Sequence, residues 1–289
     1  MNAHMLPERS IDRALARWVR ERSSSELVAR AAYVVSMAEG QGHACAALSA
    51  DSSFDDAAIA QLREHPWIGD GNRFSPFVLD ADENLYTWRN WCHETRLADG
   101  LLRRATARTL PVEAKDIAAD VAELFAGDDD AATRMQRIAV AAVPGARVFV
   151  LTGGPGTGKT TTVLRMLLEL LRRASECGLA NRTQIALAAP TGKAAQRLSQ
   201  AIANGKQKLL QTLAPQSVLR ELIDVVPHAQ VQTLHRLLGF RPREDDFAYG
   251  AANPLAADIV VVDEASMVDL AMMRQLVDAL RDDAILILL

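Results

Sequence analysis

Residues 153–160 read Gly-Gly-Pro-Gly-Thr-Gly-Lys-Thr and match the phosphate-binding pattern Gly-x-x-x-x-Gly-Lys-Thr. The glycines let the backbone approach a phosphate closely, because no Cβ blocks the way and a positive φ costs little. The N–H groups of the loop and the positive end of the following helix dipole then point at one anion. Lys159 can add a charge beside the β- and γ-phosphates, and Thr160 can offer its hydroxyl to Mg²⁺.

The elements around this loop have the order that such a site needs. The apolar run 148–151 predicts a buried strand before the loop, and the run 163–168 predicts a helix after it. The alternative, a glycine-rich turn that binds nothing, is disfavoured because the complete pattern lies in this context. The residues predicted to bind the nucleotide are Gly153, Gly154, Pro155, Gly156, Thr157, Gly158, Lys159, Thr160 and Thr161.

Two carboxylates, Asp263 and Glu264, follow the β-branched run 259–262. In an open parallel sheet, ligands bind beyond the carboxyl ends of the strands, so this pair and the glycine loop are expected at one rim. Asp263 is suited to hold Mg²⁺, directly or through water, and Glu264 to act as general base on the water that attacks the γ-phosphate. Such a pair also occurs by chance after apolar runs. The upstream loop and the strand–helix alternation in between favour the catalytic interpretation.

Thr191 and Lys193 begin a predicted helix after a predicted strand at 183–189. This arrangement is a second candidate anion site at the same rim, and it cannot hold the same phosphate. A polymer with regularly spaced phosphates is the natural ligand, although an ordinary helix start remains the alternative. His235 could contact DNA in the same way, and a packed, hydrogen-bonded histidine explains it equally well.

Gln136 lies on a helix predicted at 131–143, directly before the loop strand. A glutamine amide presents one donor and one acceptor, which matches the edge of adenine. Exposed glutamines are common on helices, so this residue alone carries little weight.

The chain has 289 residues, which suggests roughly two domains. Helical patterns and a small hairpin at 77–86 predict a mostly helical N-terminal domain over 1–110, with a linker region at 111–130. Strands alternate with helices over 131–289, which predicts an α/β domain with a parallel sheet and helices on both faces. Within it, 204–231 is predicted to be irregular with some helical character.

Trp88 and Trp91 lie on a predicted helix of the N-terminal domain. They could form an aromatic platform for nucleic acid. Their helical spacing with Leu97 favours instead a core or a face that contacts a protein partner.

Composition excludes several classes of protein. The net charge is −4, so a basic footprint over the whole molecule is absent and any DNA binding must be local. The cysteines, Cys45, Cys92 and Cys177, have no zinc or disulfide spacing, which fits a reducing cytosol. No signal peptide and no apolar run of about 20 residues is found, so we expect a cytoplasmic protein that does not enter a membrane. The sequence ends on a buried-strand pattern at 284–289, which predicts that the chain is cut short.

Four stretches together resemble the motifs of the RecD family of superfamily 1 helicases, which supplies the alpha subunit of exodeoxyribonuclease V, the RecBCD enzyme. They are residues 151–160, 189–195, 233–239 and 261–267. The resemblance extends to Asn253-Pro-Leu before Asp258, and to Trp91, Cys92 and Glu94 in the N-terminal part. It therefore covers nearly the whole chain.

This resemblance implies a RecA-like P-loop domain that binds ATP and Mg²⁺ and drives 5′→3′ movement on single-stranded DNA at duplex ends, in double-strand-break repair and recombination. Gln136 falls where such helicases carry a glutamine that reads adenine. RecB- and RecC-like subunits are the implied partners in a heterotrimer, with the N-terminal domain as the docking module. The family continues past Leu289 with a Gly-Asp…Gln motif and a second RecA-like domain that supplies an arginine, so a fragment with weakened hydrolysis is expected.

Two alternatives to this function remain from the sequence. The chain could be an assembly module that binds nucleotide without turnover and docks through residues 1–110. It could also be a stand-alone helicase of the relaxase type, against which the predicted helix at 88–98 argues.

Overall fold

The computed structural model describes residues 9–107, 114–128, 133–154 and 156–289. The chain folds into two compact units. One comprises Met1–Ala98 with Asp269–Arg274, and the other comprises Asp99–Val268 with Gln275–Leu289. The domain limits expected from the sequence, 1–110, 111–130 and 131–289, stay a prediction, and part of the expected linker lies outside the described residues.

The first unit combines helices with a small sheet. Its helices are α1 (Ser10–Ser23), α2 (Glu26–Gly40), α3 (Asp56–Arg63), the first part of α4 (Trp88–Thr106) and the first five residues of α11 (Leu270–Asp278). Its strands are β1 (Ala46–Ala47), β2 (Ile68–Gly69), β3 (Phe77–Leu79) and β4 (Asn84–Thr87), in the order β1-β4-β3-β2. β3 and β4 form the predicted antiparallel hairpin. The sequence did not predict that β1 and β2 would extend this hairpin into a four-stranded sheet.

An ion pair at the start of α1, between Arg9 and the buried Asp12, is joined to α2 through Ser36. Asp12 is only 1% exposed, and its carboxylate accepts hydrogen bonds from the Arg9 guanidinium at 2.7 Å and from Ser36 Oγ at 2.6 Å. The Arg9 hydrogen bond holds the pKa of Asp12 at about 2, because it favours the charged form more than burial penalises it. Trp88 and Trp91 are half-buried, and each packs edge-on against another ring, Phe74 or Tyr86.

The second unit contains the P-loop sheet. Its helices include the end of α4, α5 (Ala114–Leu124), α6 (Arg134–Ala142), α7 (Lys159–Glu176), α8 (Gly192–Thr212), α9 (Val218–Leu222), α10 (Leu234–Leu237) and the last four residues of α11 (Leu270–Asp278). Its strands are β5 (Val148–Val150), β6 (Ile185–Ala189), β7 (Gln232–Thr233), β8 (Phe240–Arg241), β9 (Asp246–Phe247), β10 (Ile259–Val262) and β11 (Ile285–Leu288). β8 and β9 form a separate antiparallel hairpin.

Within the described residues, the main sheet has five strands in the order β5-β11-β10-β6-β7, and every pairing is parallel. The register aligns Val262 of β10 with Leu288 of β11 and Ala188 of β6. All four residues of β10 are buried, so both faces of this strand are covered, as its continuous β-branched run predicts. The fold is therefore the α/β parallel-sheet fold expected from the sequence.

The strand before the P-loop is less buried than its sequence predicts. β5 pairs with β11, and no second partner strand is present among the described residues. Val148 and Phe149 are half-buried, and Val150 is 61% exposed. The prediction of a buried strand is wrong here, because burial of an apolar run depends on neighbours on both sides of the sheet.

α8 is longer than the sequence predicts and continues through residues expected to be irregular. Gly205 and Lys206 are both buried within it. A Cβ at Gly205 would lie 2.9 Å from Leu164 of α7, so the glycine permits the close approach of the two helices. Among the helices described, none has the length and apolar character that would let it cross a membrane.

Candidate functional site

The glycine loop adopts a conformation suited to wrapping an anion. Gly156 and Gly158 both have φ of 77°, a left-handed backbone that side chains disfavour. Gly158 is the N-cap of α7 and has no side chain to fill the position in front of the helix. Thr157 Oγ1 donates to Gly154 O at 2.9 Å and so closes the loop on itself. Pro155, which is also predicted to bind the nucleotide, lies outside the described residues.

Lys159 is the first residue of α7, and its ammonium group lies across the loop. Nζ donates to the carbonyl oxygens of Gly153 and Gly154. The charge is therefore held at the loop, next to the free N–H groups at the start of the helix. Thr160 and Thr161 follow in the first turn and are half-buried. These residues fit a bound triphosphate, because charge, N–H donors and space for the backbone approach coincide.

Asp263 follows β10, two strands away from β5 in the sheet. Adjacent strands are about 4.8 Å apart, so the two positions lie roughly 10 Å apart along the rim. Burial raises the pKa of Asp263, the N–H of Glu264 lowers it by hydrogen bonding at 3.0 Å, and the charge of Lys159 also lowers it. The charge of Lys159 therefore acts on Asp263 across the rim of the sheet.

The protein ligands available to a metal ion at this rim are few. Across the described ranges, no group of three or more His, Cys, Asp or Glu residues is arranged to hold a metal ion. Mg²⁺ is commonly held by one or two carboxylates together with substrate phosphates and water, so a closed protein cage is not required. Thr160 and Asp263 fit that donor set.

Glu264 has a strained backbone at the end of β10. Its φ is 55° and its ψ is 40°, the left-handed region that non-glycine residues rarely occupy. The next residue, Ala265, donates its N–H to Leu289 O at 2.8 Å, which fixes the turn against the end of β11. Strain of this kind costs about 1–3 kcal/mol and concentrates at functional sites. The Glu264 residue is exposed, as a base that meets water must be.

Gln136 contacts the P-loop directly. Its Nε2 donates to Thr157 O at 3.0 Å, and a Cβ built on Gly158 would lie 2.9 Å from the same nitrogen. A cavity of about 460 Å³ opens beside it. Its lining includes Met135, Gln136, Ile138, Leu151, Gly153 and Lys159.

Met135 and Ile138 were missed by sequence reasoning. They are 70% and 51% exposed on α6, beside Gln136. Apolar groups on the exposed face of a helix are the signal that could have identified them, because they give this cavity an apolar wall.

Thr191 and Lys193 lie at the start of α8, at the same rim as the P-loop. Thr191 is the N-cap, and its hydroxyl accepts from Ala194 N at 3.2 Å. Lys193 is exposed. β6, which leads into α8, pairs with β10 and is therefore three strands from β5.

His235 lies in a cluster of aromatic rings, which the sequence did not predict. It is exposed, and its ring packs edge-on against Phe240 at 5.3 Å and lies 6.2 Å from Phe247, both on the β8–β9 hairpin. Its contact with DNA stays a prediction.

Comparison with known proteins agrees with this geometry. A family model described as "AAA domain" matches residues 136–289, and one described as "RecBCD enzyme subunit RecD, N-terminal domain" matches residues 7–86. The RecBCD enzyme subunit RecD of Haemophilus influenzae is 38% identical over 219 residues, which cover 75% of this chain and 32% of that protein.

Two further relatives extend the comparison. The RecBCD enzyme subunit RecD of Mycobacterium tuberculosis is 38% identical over 280 residues, which cover 92% of this chain and 44% of that protein. The ATP-dependent RecD2 DNA helicase of Deinococcus radiodurans is 30% identical over 211 residues, which cover 73% of this chain and 22% of that protein. The chain spans less than half the length of each of these relatives. It belongs to the RecD family of superfamily 1 helicases.

Proposed function

We propose that this chain contributes the nucleotide site of an ATP-hydrolysing subunit of a RecBCD-type helicase and nuclease, which moves 5′→3′ along single-stranded DNA that begins at a duplex end. Such an enzyme would act in the cytoplasm, in repair of double-strand breaks and in recombination. The observation that carries the proposal is the shared rim. The P-loop, Asp263 and Thr191 each follow a strand of one parallel sheet, so nucleotide and polymer would meet at one edge.

We assign a separate role to each residue of the nucleotide site. The loop N–H groups and Lys159 bind the phosphates, and Gln136 reads the adenine edge beside the apolar wall of the cavity. Thr160 and Asp263 would hold Mg²⁺, which would polarise the phosphoryl oxygens and neutralise charge. Glu264 accepts the proton of the attacking water.

DNA contacts are assigned to the other half of the rim. Thr191, Lys193 and His235 contact the backbone of single-stranded DNA, away from the nucleotide. The similarity to RecD subunits of RecBCD enzymes supports RecB- and RecC-like partners, with residues 1–110 as the docking region.

Binding of a fluorescent ATP analogue to the full chain, with and without Mg²⁺, tests the nucleotide site. We expect saturable, Mg²⁺-dependent binding that Lys159→Ala weakens and that the matched control Lys208→Ala, on the exposed face of α8, leaves unchanged. Equal affinity in both variants would remove the P-loop assignment.

Polarity and partners need a second experiment. The chain assembled with RecB- and RecC-like subunits should hydrolyse ATP faster when single-stranded DNA is added. The assembled enzyme carrying Lys159→Ala should lose unwinding of duplexes with 5′ single-stranded tails. Unwinding of these substrates that is unaffected by Lys159→Ala would contradict the proposed motor.

A further inference from the structure

The helix that carries Gln136 begins against the segment that follows α5. α6 is nine residues long, and its N-cap, Thr133, donates from Oγ1 to Asp128 O at 2.9 Å. Gln136, in the first turn of α6, reaches Thr157 O on the P-loop at 3.0 Å. Reading the edge of a base requires a side chain held to within a fraction of an ångström. The contacts that anchor α6 therefore bear on how Gln136 is placed.

The side chain of Arg137, the next residue on α6, hydrogen-bonds to the backbone of the segment that follows α5. Its guanidinium donates to Phe125 O at 3.3 Å and to Asp128 O at 3.0 Å. Its Cζ also lies over the Phe125 ring, 5.1 Å from the centroid. Phe125 is 1% exposed, so this ring is a fixed surface on which the arginine rests.

The same ring is held from the P-loop helix. Arg165 of α7 is 7% exposed, and its Cζ lies 4.0 Å from the Phe125 centroid. Its guanidinium pairs with the Asp128 carboxylate. Arg165 is six residues after Lys159, which places it about 9 Å along the same helix at 1.5 Å per residue.

These contacts therefore connect Gln136 to the helix that begins with Lys159. Gln136 stands beside Arg137 on α6, Arg137 rests on Phe125, and Phe125 rests on Arg165 of the helix that begins with Lys159. We propose that Phe125, Arg137 and Arg165, with Asp128, are positioning residues that hold Gln136 at the base cavity and so set the preference for adenine. This inference rests on the proposed nucleotide site, and it assigns to that site residues that do not contact the nucleotide.

The test compares the affinities of the full chain for fluorescent ATP and GTP analogues in the presence of Mg²⁺. The wild type should prefer ATP. Phe125→Leu should lower the ATP affinity by about tenfold, the loss expected for one or two hydrogen bonds, and leave the GTP affinity nearly unchanged. A merely structural role would weaken both nucleotides by the same factor, and that result would overturn the proposal.

A milder variant and a matched variant distinguish the loss of positioning from the loss of stability. Asp128→Asn removes the charge partner of Arg165 at a side chain that is 47% exposed, so the fold should survive and the ATP preference should fall partway. Leu124→Ala removes buried packing at the same end of α5 without touching the stack, so it should lower Tm and keep the ATP-to-GTP ratio. A ratio that changes in Leu124→Ala as much as in Phe125→Leu would also overturn the proposal.

A double-mutant cycle links the stack to Gln136. Gln136→Ala should remove the ATP preference, and adding Phe125→Leu should lower the ratio no further, because the two act through one contact. Additive losses would contradict the proposal. Lys159→Ala should weaken ATP and GTP alike. If it changed neither, the nucleotide site itself would be wrong, which is a distinct outcome from a failed positioning role.

Discussion

α7 and α8 both begin at the same rim of the parallel sheet, and their N-termini differ in one respect that decides what they can bind. α7 is preceded by Gly158, which is left-handed and has no side chain. α8 is preceded by Thr191, whose hydroxyl already accepts from Ala194 N. The first helix leaves its leading N–H groups for a ligand, and the second satisfies one of them internally.

The two lysines repeat this difference. Lys159 is tied to the carbonyls of Gly153 and Gly154, so its charge has a fixed position. Lys193 is exposed, and the described part of the chain gives it no hydrogen bond or ion pair. A fixed charge beside free N–H groups suits one phosphate held tightly. A loose charge beside a capped helix suits a backbone that slides past, so changes near α7 should have larger effects than changes near α8.

The largest effect is expected at the carboxylate that serves the α7 site. Glu264→Gln keeps the size of the side chain and removes the base, so hydrolysis in the assembled enzyme should fall by about 10²–10⁴-fold. ATP and DNA binding should both persist, because neither helix start has changed. Quench-flow measurement of phosphate release checks this, and a normal rate would remove Glu264 from the base role.

Lys159→Ala should have the next largest effect. Loss of one charged hydrogen bond costs about 1.5–3 kcal/mol, so ATP affinity should fall by roughly 10–100-fold. Affinity for single-stranded DNA should stay within about twofold of the wild type, because the α8 start is intact. Fluorescence titrations with each ligand measure both numbers. An equal loss of DNA affinity would mean that ATP and DNA do not bind at separate sites, which would contradict the difference between α7 and α8.

Lys193→Ala should show the converse pattern with a smaller effect. Removing one phosphate contact should weaken single-stranded DNA binding severalfold and reduce the slope of log K against log salt by about 0.7. ATP affinity should not change. Titrations at several salt concentrations test this prediction, with Lys208→Ala as the control for loss of one exposed charge on the same helix. An unchanged salt slope would mean that α8 begins like any ordinary helix.

The sequence alone could predict the α7 half of this comparison well. The P-loop spacing, the strand before it and the paired carboxylates after a β-branched run are local patterns, and local patterns determine which residues reach the rim of a parallel sheet. The internal cap at Thr191 follows equally from local chemistry. The ion pair between Arg165 and Asp128 does not, because its partners are far apart in sequence.

Burial was the property that the sequence predicted least well. Arg165 occurs in an apolar run and reads as one charged position on a helix, yet it is buried against Phe125. Val150 reads as core and is exposed, because β5 has one partner strand among the described residues. In both cases the burial depends on neighbours from other parts of the chain, which the periodicity of the segment itself cannot predict.

The smallest expected effect is a difference in pH dependence between the two halves of the rim. Burial raises the pKa of Asp263, so on acidification this carboxylate binds a proton at a higher pH than an ordinary aspartate does. Only the ionised form holds Mg²⁺, so the Mg²⁺-dependent part of ATP affinity should fall first as the pH drops, while DNA binding through Lys193 should not follow it. Asp263→Asn should abolish this fall and should raise Tm at neutral pH, because it removes a carboxylate whose ionised form is destabilised by burial. ATP titrations with and without Mg²⁺ from mildly acidic to neutral pH measure the effect. If the Mg²⁺-dependent ATP affinity fell with pH in the same way in the wild type and in Asp263→Asn, Asp263 would not be a ligand of the metal ion.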